Sequence, residues 1–479
     1  MVSTGRRISE DWLAVWIGVF IFLLSIGLLL GADLLGWAVT ASVWTDISTT
    51  LRPVSKAYAA LPGLVSLVLT YVFLLAVMTA GAMALGANVK RFLSGFTVIF
   101  FLSYLCWIAG AWAYIAATPD KLDTFGIGWS LNMTSEAGFI IALLAGLFIG
   151  NFLPRLASGI QEAVRPELYI KTAIVILGGF LGVTAAEQLG LATSVMFRGL
   201  CAIIEAYLIY WAIVYFVARK YFGFSREWSV PLASGISICG VSAAIATGSA
   251  IRARPVVPVM VSSLVVIFAV VELLLLPWMA NHFLYQEPLV AGAWMGLAVK
   301  TDGAAVASGA IAESLILARA AEVQGIHYQP GWIVATTTTV KVFIDVFIAV
   351  WAFILAWIWS TKIERRAGER MRLADIWHRF PKFILGYMGT FVLMLLLGLF
   401  ARDLSAAGRA AMGEANVFRG IFFVMTFFTI GVVSNFRKLW EEGIGRLALV
   451  YILCLFGFII WVGLLISWLF FQGVKPPVV

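Results

Sequence analysis

The stretch Pro231–Ile251 reads PLASGISICGVSAAIATGSAI. It is apolar enough to lie in a membrane, yet it contains three glycines and five hydroxyl side chains that a membrane helix does not need. Glycine and serine at this depth free backbone polar groups, and a break in the helix is tolerated there only against protein or a water-filled cavity. Secondary transporters place substrate sites at such discontinuous helices, where backbone N–H groups and the positive dipole end face an anion. Close packing of helices through small residues is the competing interpretation.

A second interrupted stretch, Ala291–Leu317, favours a discontinuous helix over simple packing. Its central part reads AVKTDGAAVASGA from Ala298 to Ala310, so that a lysine and an aspartate stand among small residues. Paired interrupted helices in an otherwise apolar chain are typical of transporter binding sites.

The composition places the chain in a lipid bilayer. The 479 residues are 62% hydrophobic and 12% charged, and the mean hydropathy is +0.99. Soluble proteins are about one quarter charged, so this composition predicts an all-α polytopic membrane protein. The net charge of +8 lies mostly in short loops, where basic residues orient membrane helices, and no nucleic-acid partner is expected.

The residues that carry most enzyme chemistry are absent or scattered. The four cysteines lie far apart in apolar segments, and the three histidines fall in predicted loops. No phosphate-binding loop of an ATP-driven pump is present. The sequence therefore predicts no enzyme activity, no cofactor and no metal site.

Hydropathy predicts about 13 segments of spanning length. They are Trp12–Gly31, Gly63–Ala87, Phe92–Ala117, Glu136–Leu153, Leu168–Ala186, Val195–Ala218, Ser229–Ile251, Val256–Ala280, Ala291–Leu317, Trp332–Trp359, Phe383–Ala401, Phe418–Ser434 and Leu447–Phe471. We interpret residues 1–134 as a three-helix membrane extension and residues 135–479 as the transporter core. A glycine spacing shared by Leu177–Gly190 and Ile430–Gly443 favours an inverted-repeat core with two discontinuous helices, although chance explains that spacing about as well.

Basic loops predict the orientation. The loop Lys362–Lys382 has seven lysines and arginines and is expected in the cytoplasm, with Asp403–Asn416 outside. The N-terminus is then cytoplasmic and the C-terminus external, in a bacterial cytoplasmic membrane. The two interrupted stretches either both span the membrane or both form hairpins, because either choice keeps this orientation.

Ionisable side chains inside membrane segments are costly, so each is a candidate functional residue. Lys300 and Asp302 flank Thr301, and a regular helix would point residues at this spacing to different faces. A break at Gly303 would let both side chains reach one cavity. We expect a role in binding substrate or a coupling ion, with a purely structural ion pair as the alternative.

Lys341 and Asp345 are four residues apart and can pair on one face of the predicted helix Trp332–Trp359. The tract Thr336–Thr339 precedes them. Threonine hydroxyls also bond back to their own helix, but together with Lys341 and Asp345 the tract is better interpreted as a wetted helix facing a cavity.

Four further ionisable residues lie in predicted spans. For Arg198 and Glu205, a structural pairing with other helices and a functional role are equally expected. Glu272 and Glu313 approach helix ends, where a side chain that reaches toward the interface is the simpler interpretation.

The segment Ala233–Ala244, ASGISICGVSAA, resembles the Ser-Ile-Cys-Gly-(Ala/Ser)-(Ala/Ser)-Ala signature of the YeiH-type membrane proteins, a family of proposed sulfate exporters. Gly146–Asn151, Leu177-Gly178, Ile430–Val432 and Lys438-Leu439 add weaker similarity, and together the resemblance covers about Ala137 to the C-terminus. It implies kinship with the bile-acid symporter and sodium–proton antiporter superfamily, in which two crossed, broken helices form the site. An elevator-like transporter is then expected, for which a homodimer is one assembly.

The sequence departs from that family in the second interrupted stretch. The family has a His-Glu pair followed two residues later by Gln, whereas this chain has Lys300, Thr301 and Ala304, with Asp302 added. An ammonium thus replaces a titratable imidazole, which changes the expected coupling chemistry.

Three functions remain open from the sequence. In the first, a small anion such as sulfate, sulfite or a sulfonate is transported, and H⁺ or Na⁺ is the coupling ion. In the second, the protein exchanges cations for protons at Asp302 and Asp345, with Lys300 as a displaceable partner. A channel or a membrane scaffold is the third, and buried charges argue against the scaffold.

The candidate site residues follow from the first function. Those expected to bind substrate are Ser234, Ser237, Gly240, Ser242, Lys300 and Lys341. Those expected to couple ions are Thr301, Asp302 and Asp345.

Overall fold

The computed structural model describes residues 8–117, 121–131, 137–240, 242–254, 256–363, 381–434 and 445–479. Nearly all regular structure in these ranges is helical, which confirms the all-α class. The α-helices, labelled in chain order, are α1 Glu10–Ile26, α2 Gly63–Ala84, α3 Val89–Gly110, α4 Ala113–Ala116, α5 Leu122–Phe125, α6 Ala137–Phe152, α7 Pro154–Ile160, α8 Pro166–Glu187, α9 Leu189–Gly199, α10 Cys201–Ile204, α11 Trp211–Lys220, α12 Arg226–Ser237, α13 Ser242–Ala250, α14 Val256–Phe283, α15 Pro288–Ala298, α16 Asp302–Gln324, α17 Trp332–Val346, α18 Ile348–Ile358, α19 Phe383–Phe400, α20 Ser405–Val433, α21 Gly445–Cys454 and α22 Ile460–Phe471.

Shorter elements join these helices. Strands β1 (Val39–Ala41) and β2 (Leu51–Pro53) pair antiparallel, with Val39 opposite Pro53. The 3₁₀ turns are Gly27–Leu30, Ile47–Thr49, Lys56–Tyr58, Gln161–Ala163 and Arg402–Leu404. The π-helices are Glu205–Tyr210, Trp359–Ile363 and Leu455–Ile459.

Eleven helices of the described residues are long and apolar enough to cross a membrane, or twelve if the bent pair Ala137–Phe152 and Pro154–Ala163 forms one span. The sequence predicted about 13. The predicted span Ser229–Ile251 is missing from this count because it is broken into α12 and α13. Glu136–Leu153 counts only with the helix after it, from which it is bent by 111°. Most of the basic loop Lys362–Lys382 lies outside the described residues, so its orientation stays a prediction.

Helix ends follow from local chemistry. The Asn88 side chain accepts a hydrogen bond from the Arg91 N–H and caps α3 at 3.2 Å. The long helix α16 begins after Thr301, whose hydroxyl accepts from the Ala304 N–H. It ends at Gly325, which has φ +66°, a conformation that glycine adopts without strain.

The chain forms two compact units. The first extends to Gly190 and includes Lys382–Val433, while the second comprises Leu191–Pro381 and Ser434–Val479. In the first unit, α8 is almost wholly buried and packs on α1, α19 and α20. The helices before residue 134 belong to this unit, and the boundary there stays a prediction. The Asp11 carboxylate of α1 binds the Lys171 ammonium of α8 at 2.8 Å.

Glycines set the close helix contacts of this first unit. A Cβ atom at Gly178 or Gly182 would overlap backbone carbonyl oxygens of α19. A Cβ at Gly146 or Gly150 would overlap carbonyl oxygens of α20. The spacings Gly146-x-x-x-Gly150 and Gly178-x-x-x-Gly182 therefore act as close-packing motifs.

The second unit contains both interrupted stretches. Helices α12 and α13 come from the first, and α15 and α16 come from the second. Helix α15 packs on α16, α17 and α22, and α12 packs on α11, α13 and α14. The breaks thus lie within a helical bundle, which places the candidate site in this unit alone.

Candidate functional site

The helix is broken within both interrupted stretches, Pro231–Ile251 and Ala291–Leu317, as their small residues predicted. Helix α12 ends at Ser237, and the next residue, Ile238, has the non-helical angles φ −107° and ψ −84°. Helix α15 ends at Ala298 and is followed by extended backbone at Val299 and Thr301. The second break is therefore at residues 299–301, before Gly303.

The two breaks contact each other through their backbones. The Gly240 N–H donates to the Lys300 carbonyl oxygen at 2.5 Å. A Cβ atom at Gly240 would overlap the Val265 side chain of α14 and would lie 3.2 Å from Thr301 Cγ2. Because each break leaves peptide groups without a helical partner, this hydrogen bond satisfies one group from each, and glycine is required for the approach.

A lysine ammonium lies at the C-terminal end of each first half-helix. Lys341 Nζ donates to the Ile238 carbonyl oxygen at 2.9 Å, just after α12. Lys300 Nζ donates to the Leu297 carbonyl oxygen in the last turn of α15. The C-terminal end of a helix has a partial negative charge, so a cation there is stabilised. Both lysines thereby offset the electrostatic cost of ending a helix inside the membrane.

Four side chains on one side of the crossing form what we call the Lys341 cluster: Lys341, Asp302, Cys239 and Asp345. Lys341 Nζ lies 3.8 Å from Asp302 Oδ1. The Cys239 thiol donates to the same Asp302 oxygen at 2.9 Å. One ligand atom from each of Cys239, Asp302 and Asp345 lies within 4.8 Å of the other two. All four side chains are at least 97% buried, and the three anionic or thiol groups could hold a cation.

Five side chains on the other side form the Lys300 cluster: Lys300, Glu272, Tyr451, Tyr210 and Glu205. Glu272 accepts from the Lys300 backbone N–H at 3.0 Å and from the Tyr451 hydroxyl at 2.8 Å. Lys300 Nζ lies 4.6 Å from the centre of the Tyr210 ring. Glu205 and Glu272 are both fully buried. This cluster therefore contains a second set of ionisable groups.

The charges of the two clusters do not cancel. Two ammonium groups contribute +2, and the four carboxyls Glu205, Glu272, Asp302 and Asp345 contribute −4 when ionised, which leaves −2. An unbalanced buried charge is strongly unfavourable in a membrane interior. The two clusters therefore favour the binding of protons or cations.

Lys300 and Asp302 have different neighbours. Asp302 forms its ion pair with Lys341, whereas Lys300 faces Tyr210 and Glu272. Thr301, which lies between them, has an extended backbone, and Asp302 begins a helix. Side chains on the two sides of such a transition follow neither the helical spacing nor the spacing of a strand. The expectation that a break brings both side chains to one cavity is thus replaced by two clusters that share the crossing.

The three serines predicted to bind substrate differ in what the structure shows of them. The Ser234 hydroxyl donates to the Val230 carbonyl and accepts from the Trp211 indole N–H at 2.9 Å. Ser237 is fully buried, and its Oγ has no hydrogen-bond partner among the described residues. Ser242 begins α13, but its side chain lies outside the described residues.

The threonine tract of α17 bonds to backbone rather than facing a cavity. The hydroxyls of Thr336, Thr337 and Thr338 donate to carbonyl oxygens one turn earlier at 2.8–3.0 Å. Thr337 Oγ1 also lies 2.8 Å from the Gly292 carbonyl oxygen of α15. A Cβ at Gly309 would lie 2.5 Å from this hydroxyl oxygen. The interpretation of the tract as a wetted face is therefore wrong, and it serves close packing of α17 against α15 and α16.

The other intramembrane charges are now placed. Glu313 caps α17, since it accepts from the N–H groups of Gly331, Ile333 and Val334 at 2.8–3.2 Å. Arg198 donates to the Ser194 hydroxyl and to the Phe470 carbonyl oxygen. Both roles are structural, as the sequence allowed.

Sequence reasoning underestimated Glu272 and missed the role of Cys239. Glu272 lies well inside α14, not at its end, and it is fully buried. Its position eight residues before the end of the predicted span Val256–Ala280 was the available signal. The four cysteines were set aside because they lie far apart, although Cys239 lies within the first break. Tyr451 is 179 residues from Glu272 in sequence, so no local pattern could pair them.

Comparison with known proteins supports one family. Residues 124–450 match the family model described as conserved hypothetical protein 698. A UPF0324 membrane protein of Nitrosomonas europaea is 40% identical over 480 residues, which cover 99% of this chain and 98% of that protein. A UPF0324 membrane protein of Rhodopirellula baltica is 29% identical over 77% of this chain and 61% of that protein. An uncharacterized protein of Archaeoglobus fulgidus is 49% identical over 170 residues, which cover 31% of this chain and 91% of that protein.

Proposed function

The chain belongs to the conserved hypothetical protein 698 family and is similar to UPF0324 membrane proteins, and we propose that it is a secondary transporter that moves a small anion together with protons. The observation that carries this proposal is the crossing of two broken helices with a buried lysine at each break. Lys300 and Lys341 are 1% and 2% exposed. Broken helices that cross inside a bundle are the typical binding site of secondary transporters, and lysines are the cations available there for an anion.

The charge balance supports coupling to protons. The site has a formal charge of −2 when all four carboxyls are ionised, so a divalent anion would raise the unfavourable charge to −4. Protonation of carboxyls removes this repulsion and frees lysine N–H donors for the anion. Anion binding and proton binding are therefore thermodynamically linked, because each favours the other.

The substrate class follows from the donors and the signature. Lysine ammonium groups and backbone N–H groups recognise tetrahedral or trigonal oxyanions without further chemistry. The segment Ala233–Ala244 resembles the signature of proposed sulfate exporters. Sulfate, sulfite and small sulfonates are the substrates to test first, in the bacterial cytoplasmic membrane that the basic loops favour.

A cation–proton antiporter is the second candidate. The close approach of Cys239, Asp302 and Asp345 favours it, because three such ligand atoms could hold a cation once Lys341 moves away. In that case the lysine ammonium groups would neutralise the carboxylates when no cation is bound, and no anion would be transported.

Flux in proteoliposomes separates the two candidates. Uptake of radiolabelled sulfate, sulfite and sodium is measured with and without an imposed pH gradient, for the parent and for Lys341→Gln. Lys475→Gln is the matched control, because Lys475 is an exposed lysine of the same unit.

We expect proton-driven anion uptake that Lys341→Gln reduces at least tenfold and Lys475→Gln leaves unchanged. Sodium uptake driven by the pH gradient, without anion uptake, would replace the anion proposal by the antiporter.

A further inference from the structure

Glu205 lies at an unusual place in the backbone. It begins the π-helix Glu205–Tyr210, which interrupts the span made by α9, α10 and α11. A second π-helix, Leu455–Ile459, lies against it, since the Tyr210 hydroxyl donates to the Ile459 carbonyl oxygen at 2.8 Å. π-helices are rare, and many occur at functional sites, because they free backbone carbonyls and redirect side chains.

The two glutamates of the Lys300 cluster differ in their hydrogen bonds. Glu272 has a donor on each carboxyl oxygen, the Tyr451 hydroxyl and the Lys300 N–H. Glu205 is fully buried, and no N–H or O–H group of the described residues donates to either of its oxygens. Donors stabilise a carboxylate, so Glu272 is better placed than Glu205 to be ionised. A carboxylate without donors is strongly disfavoured in a low dielectric, so Glu205 is placed to be neutral.

Among the described groups that face Glu205, only the Lys300 ammonium favours the carboxylate, and it donates to the Leu297 carbonyl oxygen instead. On the span of Glu205 itself the facing groups are Cys201 and Tyr210, and the charge that reaches it from another element is Lys300. On α22 the neighbour is Gly463, where an added Cβ would lie 3.5 Å from Glu205 Oε1 and 2.8 Å from the Tyr210 hydroxyl oxygen. The Tyr210 proton is already donated to Ile459, so toward Glu205 this hydroxyl offers only an acceptor.

We propose that Glu205 is a proton-binding site of this protein, separate from the Lys341 cluster and occupied by a proton in the conformation described. On release, the carboxyl O–H bond breaks, the proton passes to water, and the carboxylate remains. The Lys300 ammonium then leaves the Leu297 carbonyl and pairs with that carboxylate, which releases the C-terminal end of α15. This inference rests on the proposed function in one respect, since it makes Glu205 the carrier of the coupling proton.

Infrared spectroscopy of the purified full-length protein tests the proton directly. The absorption of protonated carboxyls is recorded at neutral pH for the parent and for Glu205→Gln, which keeps the shape of the neutral acid. Glu272→Gln and Glu322→Gln are the controls, the first in the same cluster and the second exposed in α16.

We expect Glu205→Gln to remove one protonated-carboxyl band that both controls keep. A band that persists in Glu205→Gln, or is removed instead by Glu272→Gln, would overturn the assignment. If Glu205→Gln does not fold, ¹³C-labelled glutamate in the parent shifts the same band without any substitution. Absence of a shifted glutamate band would equally overturn it.

Transport then tests the role of that proton. We expect Glu205→Gln to melt within about 2 °C of the parent. The rate of uptake driven by a pH gradient should fall at least tenfold. Unchanged proton-driven uptake would show that Glu205 is not the carrier, even if its band is confirmed. The infrared result needs no substrate, so a protein that transports neither anion nor sodium would refute the proposed function while leaving the proton site assigned.

Discussion

The ion pair between Lys341 and Asp302 leads to a quantitative prediction. Both side chains are almost fully buried, and the ammonium nitrogen lies 3.8 Å from the carboxylate oxygen. With an effective dielectric constant of about 20, the attraction of two unit charges at this distance is 332/(20 × 3.8), about 4 kcal/mol. Removing one member of a buried pair typically costs about 3–5 kcal/mol, because the other charge stays buried alone. We expect Lys341→Gln to lower the free energy of unfolding by about that amount.

The charge of the cluster predicts which second substitution restores stability. With Asp302 and Asp345 ionised the Lys341 cluster has a charge of −1, and Lys341→Gln changes it to −2. Asp302→Asn in the same protein returns it to −1, so the double variant should regain most of the lost stability. Lys300→Gln combined with Asp302→Asn should show no such recovery, because Lys300 does not pair with Asp302.

Two double-mutant cycles test this, one for Lys341 with Asp302 and one for Lys300 with Asp302. The free energy of unfolding in mixed detergent micelles is measured for the parent, the three single variants and the two double variants. The expected coupling energy is at least about 2 kcal/mol for Lys341 with Asp302 and near zero for Lys300 with Asp302. If the Lys300 cycle shows the larger coupling, the two-cluster geometry is wrong.

Three further predictions concern single positions. Gly240→Ala should destabilise the protein by about 1–3 kcal/mol and reduce transport, because the added methyl overlaps Val265, whereas Gly413→Ala, which meets no atom within 4 Å, should be neutral in the same unfolding assay. Glu313→Gln should cost about 1–2 kcal/mol in unfolding free energy and leave the coupling to protons intact, since Glu313 accepts three N–H groups at the start of α17; altered coupling would mean that it belongs to the site. Glu227 accepts from the Arg254 N–H and guanidinium, which hold the pKa of its carboxyl below the ordinary value, so its contribution of less than about 1 kcal/mol is present at neutral pH and is lost as pH falls through that lowered pKa. Glu227→Gln should therefore flatten the acid limb of a melting-temperature profile, and an unchanged limb would contradict the assignment.

The breaks were predictable because their chemistry is local. Glycine and serine at Pro231–Ile251, and Lys300 with Asp302 among small residues, mark positions where a helix cannot continue cheaply in hydrocarbon. The structure breaks both stretches within these segments, at residues 238–240 and 299–301. The close-packed Gly146 and Gly178 motifs were predictable for the same reason, since a small residue every four positions makes a flat helix face.

The partners of the buried charges could not be predicted from local sequence. Asp302 is paired with Lys341, and Glu272 with Tyr451, only because helices distant in sequence cross. The direction of Lys300 depends on the extended backbone at Val299 and Thr301 on either side of it, whose angles no periodicity describes. The threonine tract shows the opposite error: hydroxyls that suggest a wet surface in sequence are satisfied by carbonyls of the same helix, so they mark packing instead.

Cys239 provides the most direct test that substrate binds at the crossing. It is 2% exposed, lies within the first break and donates to Asp302. In a variant with Cys106, Cys201 and Cys454 replaced by serine, Cys239 is the one cysteine left. Its rate of alkylation by a small membrane-permeant reagent then reports how often the crossing of the two breaks becomes accessible. We predict that sulfate or sulfite slows this alkylation at least fivefold at a pH at which the carboxyls of the two clusters are protonated. Lys341→Gln should remove this protection. A solute that the protein demonstrably transports but that leaves the alkylation rate unchanged would contradict the account.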